Sequence, residues 1–289
     1  MNADVGLGAI GWEDASLPVL SEAECGEWNE ALRRRVVEHR GRLWVEWRRC
    51  FFQPVHHLAK LSAHEATRPA RSCLGFRARL AEDAWGWANG SLPAHTFPGP
   101  QNYDLGRLRP TPRRQVRQGL RAVDVVALEI PDLILDQGYA VAAQAHARDN
   151  GIDLPGRATF RRNVLSFFSP RRGLILAAVR GRHLLGFSLT YAVDAAAYHD
   201  RVYVAGQGLA NKVPVCLFHA FATLVSRRPQ VQELMHGVHV RDDEGLCEFK
   251  RRIGLVVTPL PARAWFASGL DGLLRRARPQ QYYRVTGRG

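Results

Sequence analysis

The feature that most constrains the fold is the stretch "GLILAAV" (173–179), an apolar run with no polar break. It reads as a buried strand. Gly181-Arg182 turns it back into "HLLGFSLTYAV" (183–193), and the hairpin continues into "HDRVYVAG" (199–206). Together they make a three-strand meander. Whatever this chain folds into must cover that meander.

Its neighbours supply the cover. Upstream, "TPRRQVRQGLRAV" (111–123) reads as a helix, with Thr111 as N-cap and Pro112 at its first position. "DVVALE" (124–129) reads as a strand, "PDLILDQGYAVAAQAHARDNG" (131–151) as a helix closed by Asn-Gly, and "RATFRRNVLSFF" (157–168) as another helix. Downstream, "VPVCLFHAFATLVSRR" (213–228) is helical and "QVQELMHGVHV" (230–240) contains a strand. "DDEGLCEFKRRI" (242–253) is a helix with an acidic start, as the helix dipole favours. Gly254 follows as its C′ residue, and "LVVTPL" (255–260) is the closing strand.

The first 90 residues are less regular. Residues 22–40 read as a helix, while "RLWVEWRR" (42–49) and "SCLGFRARL" (72–80) read as strands. Trp44, Trp47, Trp85 and Trp87 are expected in a core, the alternative being that they line a site. The stretch 89–112 holds five prolines and reads as a linker or irregular crossing. The expected organisation is an N-terminal mixed lobe over 1–105, a main domain over 106–265 and a basic tail over 266–289.

Composition bounds partners rather than fold. The 289-residue chain is 46% hydrophobic and carries a formal net charge of +13, which suits nucleic acid, acidic lipid or polyphosphate ligands. Five scattered cysteines without a CxxC pair point to reduced thiols, and no segment has the length and apolarity of a membrane span. The start of the chain has acids where a signal peptide needs bases, so a soluble cytoplasmic protein is expected.

The strand, helix, helix, meander, helix, strand, helix, strand order over about 122–260 is similar to that of the GNAT acyltransferase fold. "RRQVRQGL" and "GLCEFKRRIGL" sharpen this into a resemblance to the Fem-type branch, the peptidoglycan peptidyltransferases and their relatives. The resemblance covers roughly 105–265. It implies an α/β (α+β) architecture: a mixed, largely antiparallel sheet flanked by helices, with an N-terminal extension or reduced lobe. It also implies transfer of an acyl or aminoacyl group to an amine, with the donor in a splay between the strands at 199–206 and 231–238. Gln207, Gly208, Asn211 and Lys212 in "GQGLANKVPV" would then face the donor, because helix-start N–H groups suit phosphate. The stretch departs from the usual coenzyme A loop, Q/R-x-x-G-x-G/A. The resemblance implies acyl-CoA or, as in Fem-type enzymes, aminoacyl-tRNA as the donor. Phe249 stands where many acetyltransferases have an acidic tyrosine.

Lys250 is the most pointed residue. The chain has three lysines among 40 basic residues, and at about 100° per residue Lys250 falls inside the apolar arc of Leu246, Cys247, Phe249 and Ile253. In the Fem-type branch the lysine of the Phe-Lys pair faces the reaction centre, which implies that Lys250 stabilises charge on the acyl carbonyl. The alternative is a snorkelling lysine with its amine in water. Asp242 or Asp243 caps the helix or takes the proton of the incoming amine. Arg113, Arg117 and Arg121, at i, i+4 and i+8 with Arg114 beside them, make an arginine ridge for phosphate or tRNA, or a solvated face. His236 and His239 lack an evident third ligand, so no metal site is expected. Two other readings stay open: an acetyl-CoA-dependent N-acetyltransferase, and a catalytically silent protein of this fold that binds RNA or a partner.

Overall fold

The structure is a computed structural model and describes residues 8–148 and 154–288. In chain order the strands are β1 (Ala9–Gly11), β2 (Val19–Leu20), β3 (Val36–His39), β4 (Arg42–Arg48), β5 (Phe51–Pro54), β6 (Gly75–Arg79), β7 (Gly90–Phe97), β8 (Asp124–Leu128), β9 (Leu174–Arg180), β10 (His183–Val193), β11 (Ala196–Val204), β12 (Glu233–Val238) and β13 (Val256–Phe266). The helices are α1 (Glu22–Ala31), α2 (Pro110–Gly119), α3 (Asp132–Arg148), α4 (Arg157–Leu165), α5 (Gly206–Ala210), α6 (Val213–Ser226), α7 (Glu244–Arg252), α8 (Leu270–Ala277) and α9 (Pro279–Thr286). The chain divides into two compact units. One comprises Met1–Val19, Phe97–Gly237 and Arg252–Leu255; the other comprises Leu20–Thr96, Val238–Arg251 and Val256–Gly289. The cut therefore runs differently from the 1–105, 106–265 and 266–289 expected. Most of α7 and all of β13 cluster with the N-terminal lobe.

In the first unit the strands run β1-β8-β9-β10-β11-β12. All neighbours are antiparallel except β11 and β12. Residues Leu174 to Val179 are all buried, as the unbroken apolar run requires of a strand covered on both faces. The helix α6, "VPVCLFHAFATLVS", is apolar almost all round and packs on β9, β10 and β11. The parallel pairing of β11 with β12 covers Ala196↔Glu233, Ala197↔Leu234 and Tyr198↔Met235. Beyond Tyr198 and Met235 the ladder stops while both strands continue, which opens a splay in this sheet.

In the second unit the order is β7-β13-β6-β5-β4-β3, antiparallel except for β5 and β6. Its core gathers Trp44, Phe52, Leu61, Phe76, Ala78 and Leu80. Trp44 is fully buried and meets Phe76 edge to face at 5.5 Å. Trp47, Trp85 and Trp87 are 36%, 51% and 62% exposed, against the expectation that all four tryptophans fill a core.

Several boundaries differ from those the sequence predicts. Helix α1 starts on a Ser21–Glu24 capping box but ends at Ala31, because Arg33 takes a left-handed φ of 61° and the β-branched pair Val36-Val37 goes into β3. The 89–112 stretch is not all crossing, since β7 pairs along β13 from Gly90↔Ala262 to Thr96↔Val256 with Pro93 opposite Pro259. Helix α2 begins at Pro110 with Arg109 as N-cap, two residues earlier than the expected Thr111 cap and Pro112 start. The basic tail is folded into α8 and α9, where Tyr282, Tyr283, Val285 and Thr286 are buried. The expected Asn-Gly stop at 150–151 lies outside the described residues.

Candidate functional site

Helix α7 carries one buried residue, and it is Lys250, at 5% exposure. So little exposure disfavours a snorkelling pose with the amine extended into water. Burial is the main reason its pKa drops from 10.5 to about 8; Arg284 adds to the drop, while Cys247 and Asp243 oppose it. The helix start explains the orientation. Asp243 Oδ1 accepts the backbone N–H of Leu246 at 2.8 Å, and the Cys247 N–H bonds Asp243 O at 3.0 Å, fixing the first turn. Lys250 then projects from the following turns with Cys247, on the same side by the i, i+3 rule.

Three groups that the sequence does not connect meet beside it. His95 lies on β7, His239 follows β12, and Cys247 is on α7. The His239 N–H donates to Pro93 O at 2.7 Å, which ties the segment after β12 to the strand bearing His95. The two imidazoles meet edge to face at 5.3 Å between centroids. One ligand-capable atom from each of His95, His239 and Cys247 lies within 4.8 Å of the others. His95 is 2% exposed, and neither ring nitrogen has a hydrogen-bond partner among the described residues. Burial first, then the charges of Lys250 and His239, pushes its pKa down to about 3, so it is neutral at ordinary pH. His239 Nδ1 is 2.8 Å from the Tyr283 hydroxyl, and the Cys247 thiol donates to Val240 O at 3.2 Å. His236, the histidine nearest in sequence, turns its Nδ1 to His199 O at 3.1 Å.

The other residues singled out from sequence are placed as follows. Asp242 is exposed; Asp243 is half-buried in its capping role. The "GQGLANK" stretch forms the five-residue helix α5, followed by Lys212 at a left-handed φ of 61°. Gln207 is exposed and its carbonyl accepts the Asn211 amide at 2.7 Å. The Asn211 side-chain oxygen also accepts from Arg180. Gly208 is buried, and a Cβ there would run into Leu185 O and lie 2.6 Å from Val204 Cγ1. Packing therefore accounts for that glycine. Of the arginine ridge, Arg113 is turned inward and donates to Gly106 O and, at 3.0 Å, to Leu108 O. Arg121 lies past the end of α2 at Gly119, so the i, i+8 alignment does not continue to it. Arg114 and Arg117 are exposed on the helix.

The fold is similar to that of FemX. FemX superposes with a TM-score of 0.58 at 8% identity over 92% of this chain and 100% of its own. The C-terminal domain (DUF2156) of a putative lysylphosphatidylglycerol synthetase from Agrobacterium fabrum gives a TM-score of 0.58 at 12% identity, covering 92% of this chain and 98% of that one. L-PGS from Bacillus licheniformis gives 0.57 at 11% identity, covering 95% and 99%. At these identities the likeness is one of fold. No family model and no curated protein matches the sequence. No helix among the described residues is long and apolar enough to cross a membrane.

Proposed function

We propose that the protein is an acyltransferase that moves an acyl or aminoacyl group from an activated ester to an amine, with Lys250 stabilising the charge that develops on the acyl carbonyl. The observation that supports this most is the burial of Lys250. A positive charge already held in a site shielded from water stabilises a developing oxyanion more than the same charge in water does. In the reaction the amine nitrogen bonds to the carbonyl carbon, the C–S or C–O bond to the carrier breaks, and the amine's proton is lost as the thiol or hydroxyl leaves protonated. Phe249 has no hydroxyl to supply that proton, so it comes from substrate or water. The donor is acyl-CoA or aminoacyl-tRNA. The net charge of +13 and the exposed Arg114 and Arg117 favour a polyphosphate or tRNA donor over a neutral one. Asp243 holds the helix start, and Gln207, Gly208, Asn211 and Lys212 are the residues to probe for donor phosphate.

The test is turnover of a Lys250→Met variant with acetyl-CoA and with aminoacyl-tRNA as donors, preceded by calorimetric titration of each donor. Loss of about 10²–10³ in kcat with donor affinity kept is expected for removal of an oxyanion partner. Unchanged turnover in a folded variant overturns the role of Lys250. Salt-sensitive RNA binding with no transfer from either donor overturns the enzyme reading in favour of a binding protein.

A further inference from the structure

We infer that His95, His239 and Cys247 form a three-ligand site for a borderline-soft divalent cation of the zinc class, with a fourth coordination position open. Neutral imidazole nitrogen and thiolate sulfur are the donors such a cation prefers over carboxylate or carbonyl oxygen. Three protein ligands leave a position for water or another ligand.

The placement fits. Ligands at about 2.0–2.3 Å from a tetrahedral ion stand about 3.5 Å from one another. The three candidate atoms already lie within 4.8 Å, so side-chain rotations rather than backbone movement close the set. The Tyr283 hydroxyl holds His239 Nδ1 at 2.8 Å, which leaves Nε2 as its metal-facing atom. A hydrogen-bonded second nitrogen is the usual way a metal-binding imidazole is oriented. His95 supplies the independent observation. A buried imidazole with both nitrogens lacking hydrogen bonds is expensive, and a metal would satisfy one of them. Cys247 is half-buried, and its thiol donates a weak hydrogen bond to Val240 O, which it would give up on deprotonation. The Lys250 ammonium acts on His95 and His239 and opposes the incoming charge, and the Asp243 carboxylate beside Lys250 offsets it in part. The inference stands on this cluster alone and is independent of the acyl-transfer reading.

The experiment is a Co²⁺ titration of chelator-treated, reduced, full-length protein, followed by absorption. One equivalent is expected to produce a thiolate-to-cobalt charge-transfer band in the near ultraviolet together with intense visible bands of a four-coordinate ion. Zn²⁺ should bleach both. Cys247→Ser, at a half-buried position that tolerates the change, should remove the charge-transfer band while thermal unfolding stays as in the wild type. His95→Gln should weaken Co²⁺ binding at least tenfold. Absence of saturable binding to the wild-type protein overturns the inference. So does a charge-transfer band that survives in Cys247→Ser, since another of the five cysteines would then be the ligand.

Discussion

Replacing Lys250 by methionine should make the protein more stable at neutral pH, and by a calculable amount. The side chain is 5% exposed and its pKa falls from 10.5 to about 8 in the folded chain. A drop of about 2.5 units corresponds to about 3 kcal/mol, since each unit is 1.36 kcal/mol. The sign follows from proton counting. Below pH 8 both the folded and unfolded chains carry the proton, and the folded state bears the full penalty of a buried ammonium. Between about 8 and 10.5 the unfolded chain holds more protons, so stability rises with pH by up to about 1.4 kcal/mol per unit. Above 10.5 both states are neutral and the penalty is gone. Methionine has similar length and no charge. Urea unfolding of both proteins at a series of pH values, with a chelator present, gives the difference directly, and groups that titrate alike in both cancel. The variant should exceed the wild type by about 3 kcal/mol at pH 7, with the gap closing as pH rises through 8 to 10.5. A variant less stable than the wild type at pH 7, or a gap that does not change with pH, would refute the argument that burial desolvates this amine.

Three further outcomes can be checked by the same unfolding measurement. His95 and His219 are buried with pKa values lowered to about 3 and about 4, mainly by desolvation. Stability should therefore fall as pH drops below 6.5, by about 2–3 kcal/mol per histidine at pH 4.5. A flat profile between pH 6.5 and 4.5 contradicts that. Gly208→Ala should cost about 1–3 kcal/mol, because its Cβ would press on the Leu185 carbonyl of β10; a neutral effect would free Gly208 for a role toward donor phosphate. Arg113→Ala should cost about 1–3 kcal/mol through its bonds to Gly106 O and Leu108 O, while Arg114→Ala and Arg117→Ala stay within about 0.5 kcal/mol. Equal effects at all three positions would mean that the inward turn of Arg113 is not what holds the 106–108 segment.

The central meander and its helices are legible in the sequence because their signals are local. An apolar run, a Gly-Arg turn and a 3.6-residue stripe each read correctly within a dozen residues, and β10 keeps the bounds 183–193. What fails is where proline misleads. Pro93 and Pro259 sit opposite each other in the β7–β13 pair, and Pro261 lies further along β13. Read one at a time, these prolines end strands. Paired across two strands they occupy ladder positions together, and β13 runs on to Phe266. In the 206–212 stretch the glycines fall at the turn from β11 into α5, and Gly208 serves close packing that no local pattern announces.

The candidate site divides along the same line. Lys250 is found by periodicity because its helix is amphipathic and it stands on the wrong face. His95 carries no such mark: on a strand with Leu92, Pro93 and Ala94 all buried, one more buried residue is unremarkable in sequence. Only the tertiary fold shows that it meets Lys250, His239 and Cys247. Each of these groups has an apolar replacement that would avoid its cost. A leucine in place of Lys250 needs no counter-charge, and a phenylalanine in place of His95 leaves no nitrogen without a partner. Local rules that fail singly across a fold are ordinary. Failures that gather at one point, among side chains drawn from β7, the segment after β12 and α7, are the reason to test that point first for reactive groups.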